Sequence, residues 1–116
     1  MRYFHIDKKE EMSGQDLFNR VNASLNGMGL LEHVRITEND YYVQDTWKDP
    51  DGRAVVAIYK KRDVDLLPAT FDMALNNKLF SSSGSELRNA DCVIYTVRMD
   101  ESQYGEIKRN VEMGLE

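Results

Sequence analysis

Two pairings of side chains in this chain could move protons or activate a nucleophile if folding assembled them: Asp45 with His33, and Asp45 with Cys92. Imidazole and carboxylate exchange protons near neutral pH, and a thiol attacks once it is a thiolate. Such a site would be purely spatial, because the spacing of these residues matches no motif. No G-x-S-x-G, H-E-x-x-H, dinucleotide fingerprint or paired-carboxylate pattern occurs, so catalysis is not the expected activity. Cys92 opens a strand with no neighbouring histidine and no second thiol, which suits a packed side chain better than a nucleophile. His5 and His33 lack a third ligand at zinc spacing, and neither a metal nor another cofactor is expected.

Three other stretches have a chemical reading that fails on inspection. Asp49-Pro50-Asp51-Gly52 resembles the middle of an EF-hand loop, but with Gly52 as sixth position the first and twelfth would be Trp47 and Ile58, where calcium needs carboxylates. The segment is a turn instead. SSSGSE at 81–86 has no lysine leading into a helix, as a Walker-type phosphate loop requires, and reads as a solvated loop. Asn22-Ala23-Ser24 matches the glycosylation triplet but falls within a predicted helix.

The elements that would position these residues are organised around residues 41–61, YYVQDTWKDPDGRAVVAIYKK, which predict a β-hairpin. Proline presets φ for one turn position and glycine accepts positive φ at the closing one, as in a type I turn with a glycine bulge. That turn sets Trp47 opposite Val55, Val43 opposite Tyr59, Thr46 opposite Val56 and Gln44 opposite Ile58. Alternation over Glu32–Glu38 predicts a preceding strand. A two-residue turn at Asn39-Asp40 would place Ile36 opposite Val43 and Thr37 opposite Tyr42. Asp45 then falls on the apolar face, between Val34 and Ala57, where the face either opens to water or the register slips at a bulge.

Before the hairpin, Arg2–Ile6 alternates as a short strand, and Ser13 with Asp16 caps a helix whose Leu17, Phe18, Val21, Leu25 and Met28 form one stripe. Glycines 27 and 29 end it. After the hairpin, a helix is predicted from about 68 or 70 to 80, with Phe71, Ala74, Leu75 and Leu79 buried. A strand follows over 91–99. Asp100-Glu101-Ser102 then opens a final helix that carries Tyr104, Ile107 and Val111 on one face. The fold class is α+β: a mainly antiparallel sheet with helices on one face, in the order βαβββαβα, closest to a ferredoxin-like sandwich with an extra strand.

One domain, residues 1–116, accounts for the length, and the 41% hydrophobic and 30% charged composition is that of a globular chain. The net charge of -5 is spread evenly over both halves, which argues against broad affinity for nucleic acid. With no apolar run of signal or membrane-span length, no disulfide partner for Cys92 and no membrane association in view, a cytoplasmic location is expected. What remains for function is the sheet face away from the helices. There His33, Arg35, Tyr42, Gln44, Thr46, Ile58 and Lys60 would form an open platform. Its expected use is docking on a partner protein, as a small regulator or inhibitor does. Two alternatives use other chemistry: nucleic-acid or nucleotide binding by the same face, and an enzyme site built from Asp45. Homodimerisation through the face or an exposed strand edge would also cover it.

Overall fold

The turn at Asp49 to Gly52 forms as its residue types require, and the sheet is registered from it. In a computed structural model that describes residues 2–29, 31–38, 42–61 and 90–115, Gly52 adopts φ +85° and its N–H donates to the Asp49 carbonyl at 3.2 Å. The Asp49 carboxylate accepts from the N–H groups of Asp51 (2.9 Å) and Arg53 (3.0 Å), so it is spent on closing the loop. The strands on either side, β3 (Tyr42–Lys48) and β4 (Ala54–Lys60), pair in the predicted register, including Trp47 with Val55 and Val43 with Tyr59.

The remaining described elements are β1 (Arg2–Ile6), α1 (Gly14–Asn26), β2 (Glu32–Glu38), β5 (Cys92–Val97) and α2 (Glu101–Gly114). Strand order across the five-stranded sheet is β1-β5-β4-β3-β2, and every pairing is antiparallel. The α+β class with an antiparallel sheet and helices on one face is therefore observed. A ferredoxin-like split βαβ is not the arrangement of the described strands, since β1 lies on an edge and pairs antiparallel with β5. The helix expected near 68–80 and the SSSGS loop lie outside the described residues.

Both helices start at side-chain caps. Ser13 accepts from Asp16 N–H at 3.1 Å, and Asp100 forms a reciprocal capping box with Gln103. They contact each other on one face of the sheet, burying Leu17, Val21 and Leu25 of α1 and Ile107 and Val111 of α2 against Phe4, Ile6, Trp47, Val55, Tyr59 and Ile94. Burial of such a side chain stabilises by about 1.5–3 kcal/mol, and the partly buried Phe18 and Tyr104 add to the same seam. Trp47 completes its packing by donating from Nε1 to Asn26 Oδ1 at 2.9 Å, which ties β3 to the end of α1.

The opposite face is buried too, which corrects the expectation that it is open. Tyr42, Ala54, Val56, Ile58, Val93, Tyr95 and Val97 form a second apolar cluster there, with Ala90. The physical reason is visible in β4 and β5, AVVAIYK and CVIYTV, which are apolar at nearly every position. Strands that read as continuous apolar runs are buried on both faces, whereas one-sided sheets alternate.

Candidate functional site

The sheet ends in two edges of different character. On β1, Phe4 and Ile6 are buried, Arg2 pairs with Glu101 at 2.6 Å, and the Tyr104 hydroxyl donates to the Tyr3 carbonyl at 3.4 Å. On β2 every residue is exposed. Val34 and Ile36 keep 47% and 51% of their surface in solvent.

A bulge between His33 and Arg35 interrupts the β2–β3 pairing. Arg35 then faces Thr46, Ile36 faces Asp45 and Thr37 faces Gln44, two residues away from the register expected of a two-residue turn. Pairing closes on Glu38 and Val43 instead. Because a bulge reverses the side on which the following residues point, His33 sits opposite Trp47 on the helix side and Arg35 on the other. His33 therefore does not belong to the face on which it was expected.

The displaced histidine meets Asp45. Its Nε2 hydrogen-bonds Asp45 Oδ1, which also accepts from Thr46 N–H at 3.1 Å, and its ring lies 5.6 Å from that of Trp47 at 60°. Asp45 is fully buried, so the face does not open to water there. Burial raises its pKa above the ordinary value, while the His33 hydrogen bond and charge, the Thr46 N–H and the Asn22 amide oppose that rise. Its second oxygen, Oδ2, makes no hydrogen bond among the described residues. The expected Asp45–His33 pairing thus exists, whereas Cys92 is sealed in the core. The Cys92 thiol is completely buried, and burial followed by the Asp91 charge pushes its pKa well up, which disfavours the thiolate.

Of the seven residues expected on the platform, Tyr42, Gln44, Thr46 and Ile58 are buried to 1% exposure or less. Side chains so enclosed present no contact surface to a partner. His33 and Arg35 are exposed and Lys60 is half-buried. Among the described residues no group of three His, Cys, Asp or Glu could hold a metal ion, and no helix is long and apolar enough to cross a membrane.

No family model, curated protein or solved structure matches this chain. The site is thus defined by its own geometry. Beside β2, on the helix side, lies a groove of about 500 Å³ between the start of α1 and strands β2 to β4. Phe18, Ile36, Val43 and Tyr59 line its apolar part, and Gly14, Gln15, Glu38, Lys60 and Lys61 its polar part. Phe18 stands edge-on to Tyr59 at 5.0 Å and 63°, and Lys61 Nζ pairs with Glu38 Oε2 at 2.9 Å. Sequence reading missed this groove because its residues come from four separate elements. Phe18, expected within the buried stripe of α1, is only partly buried and lines the groove instead.

Proposed function

We propose that this chain is an interaction protein of the regulator or inhibitor type, which takes up an extended segment of a partner protein along β2. The observation that supports this most is that every residue of a seven-residue edge strand is exposed, two large apolar side chains among them. Among the described strands β3 alone pairs with β2, and a strand added to a sheet edge gains affinity from the main chain and selectivity from side-chain contacts. Glu32, Arg35, Glu38 and the bulge are features that limit indiscriminate pairing. The docking function expected from sequence is retained, with its surface moved from the sheet face to the sheet edge.

The nucleic-acid alternative has lost support, since Tyr42 is buried and the net charge is -5. The His33–Asp45 pair is the one observation that favours an enzyme, but no activated nucleophile stands beside it among the described residues. Affinity capture from the native host, with the mass of the complex determined, tests the docking reading. The captured partner should be lost from a Val34→Glu, Ile36→Glu double variant that melts at nearly the wild-type temperature. Retention of the partner by that variant would refute it, and a mass of two identical chains would assign the edge to self-association.

A further inference from the structure

We propose that His33 is a nucleophilic site, which takes the acyl group of an uncharged activated ester on Nδ1 and passes it to water. This inference goes beyond docking and does not depend on it, because the nucleophile is the imidazole itself, placed by its carboxylate partner. Asp45 is fully buried; its Oδ1 accepts from the imidazole and from Thr46 N–H, and its Oδ2 makes no hydrogen bond among the described residues. A buried carboxylate with one oxygen unpaired costs free energy of desolvation. What it fixes is the ring. An ionised carboxylate only accepts, so the imidazole carries its proton on Nε2 and keeps the lone pair on Nδ1. Nδ1 makes no hydrogen bond of its own among the described residues, and 37% of the side chain is open to solvent.

The step balances within these groups. Nδ1 attacks the carbonyl carbon, the N–C bond forms, the bond to the leaving alcohol breaks, and the alcohol departs as its anion. Positive charge grows on the ring, where the enclosed Asp45 carboxylate is already in place to stabilise it. The Nε2 proton passes to Asp45 Oδ1 and leaves a neutral acyl-imidazole. Burial holds the Asp45 pKa above its ordinary value, which suits a carboxyl that receives a proton. Water then adds to the carbonyl carbon, the C–N bond breaks and the acid leaves. The proton on Asp45 returns to Nε2, and the proton released from water is taken by the departed anion, so ester and water give acid and alcohol. The surroundings select an uncharged donor. His33 faces Trp47 and Ile36 faces Asp45, so the bulge sets Ile36 next to His33 on the helix side, and both Ile36 and Val34 are exposed. An apolar acyl group finds contact there, whereas the carboxylate behind the ring repels a dianionic phosphoryl donor.

His5 is an internal control: it is exposed, stacks on Tyr3 at 5.6 Å and 29°, and has no carboxylate partner among the described residues. The test acylates the full chain with diethylpyrocarbonate, an uncharged acyl donor, and reads each histidine by mass spectrometry. In the folded chain His33 should react about tenfold faster than His5, and in urea the two rates should converge. Asp45→Asn keeps an oxygen for Nε2–H but removes the charge; the His33 rate should fall about tenfold while His5 is unchanged. Release of nitrophenolate from p-nitrophenyl acetate should drop to background in His33→Gln and persist in His5→Gln. With phosphoramidate, a phosphoryl donor, the preference for His33 should vanish. Equal rates at the two histidines in the folded chain, a preference that persists in urea, a His33 rate unaltered in Asp45→Asn, ester cleavage that survives His33→Gln, or an equal preference for His33 with phosphoramidate would each overturn the assignment.

Discussion

β1 and β2 close the same sheet at its two ends, yet only one of them is part of the core. β1 has five residues, two of them buried, and α2 reaches over it through Glu101 and Tyr104. β2 has seven residues and none is buried; among the described residues its ties include the ladder with β3, the His33–Asp45 hydrogen bond and the Glu38–Lys61 ion pair. The difference follows from where the helices lie. α1 packs on α2 and β4 and reaches β3 through Asn26 and Trp47, while α2 reaches β1 through Glu101 and Tyr104. β2 itself buries little, but it pairs with β3, whose Gln44, Asp45, Thr46 and Trp47 are fully buried.

The largest expected effect separates the two edges directly. Phe4→Ala removes a buried ring beneath α2 and should cost about 3–5 kcal/mol in chemical denaturation, whereas Ile36→Ala should change stability by less than about 0.5 kcal/mol. Similar losses at both positions would erase the contrast. Next comes the histidine that ties β2 inward. His33→Ala leaves the buried Asp45 carboxylate without its main partner, and about 1–3 kcal/mol of stability should be lost, less than for a wholly buried pair because the imidazole is partly solvated.

The smallest effect is a pH dependence. Burial holds folded Asp45 above its ordinary value of 3.8, so between those two values the folded chain binds more protons than the unfolded one. Stability from this residue should therefore fall as pH rises from about 3.8 through the raised value, and then level off. Asp45→Asn should flatten that part of the melting-temperature profile. A variant whose profile keeps the wild-type slope would assign the dependence to other groups.

Much of this fold was legible because local chemistry fixes it. Pro50 and Gly52 set the β3–β4 register, Ser13 and Asp100 mark both helix starts, and Gly27 ends α1 where expected. The β2–β3 register was not legible, since nothing at Val34 marks a bulge: no glycine, no proline, and an alternation that continues unbroken through it. That one residue hid the His33–Asp45 contact. The second buried face was legible and under-weighted: Val56 and Ile58 on β4, and Val93, Tyr95 and Val97 on β5, are too apolar for a solvated surface. The groove beside Phe18 could not be read from spacing, because no periodicity within one element reports what four elements enclose.

Hydrogen exchange on the captured complex tests the docking edge most directly. Binding should slow exchange in β2, at Arg35 and Thr37 and their neighbours, while β1 amides from Tyr3 to Ile6 exchange as in the free chain. Unchanged exchange in β2, with new protection on β1 or along α2, would contradict the account.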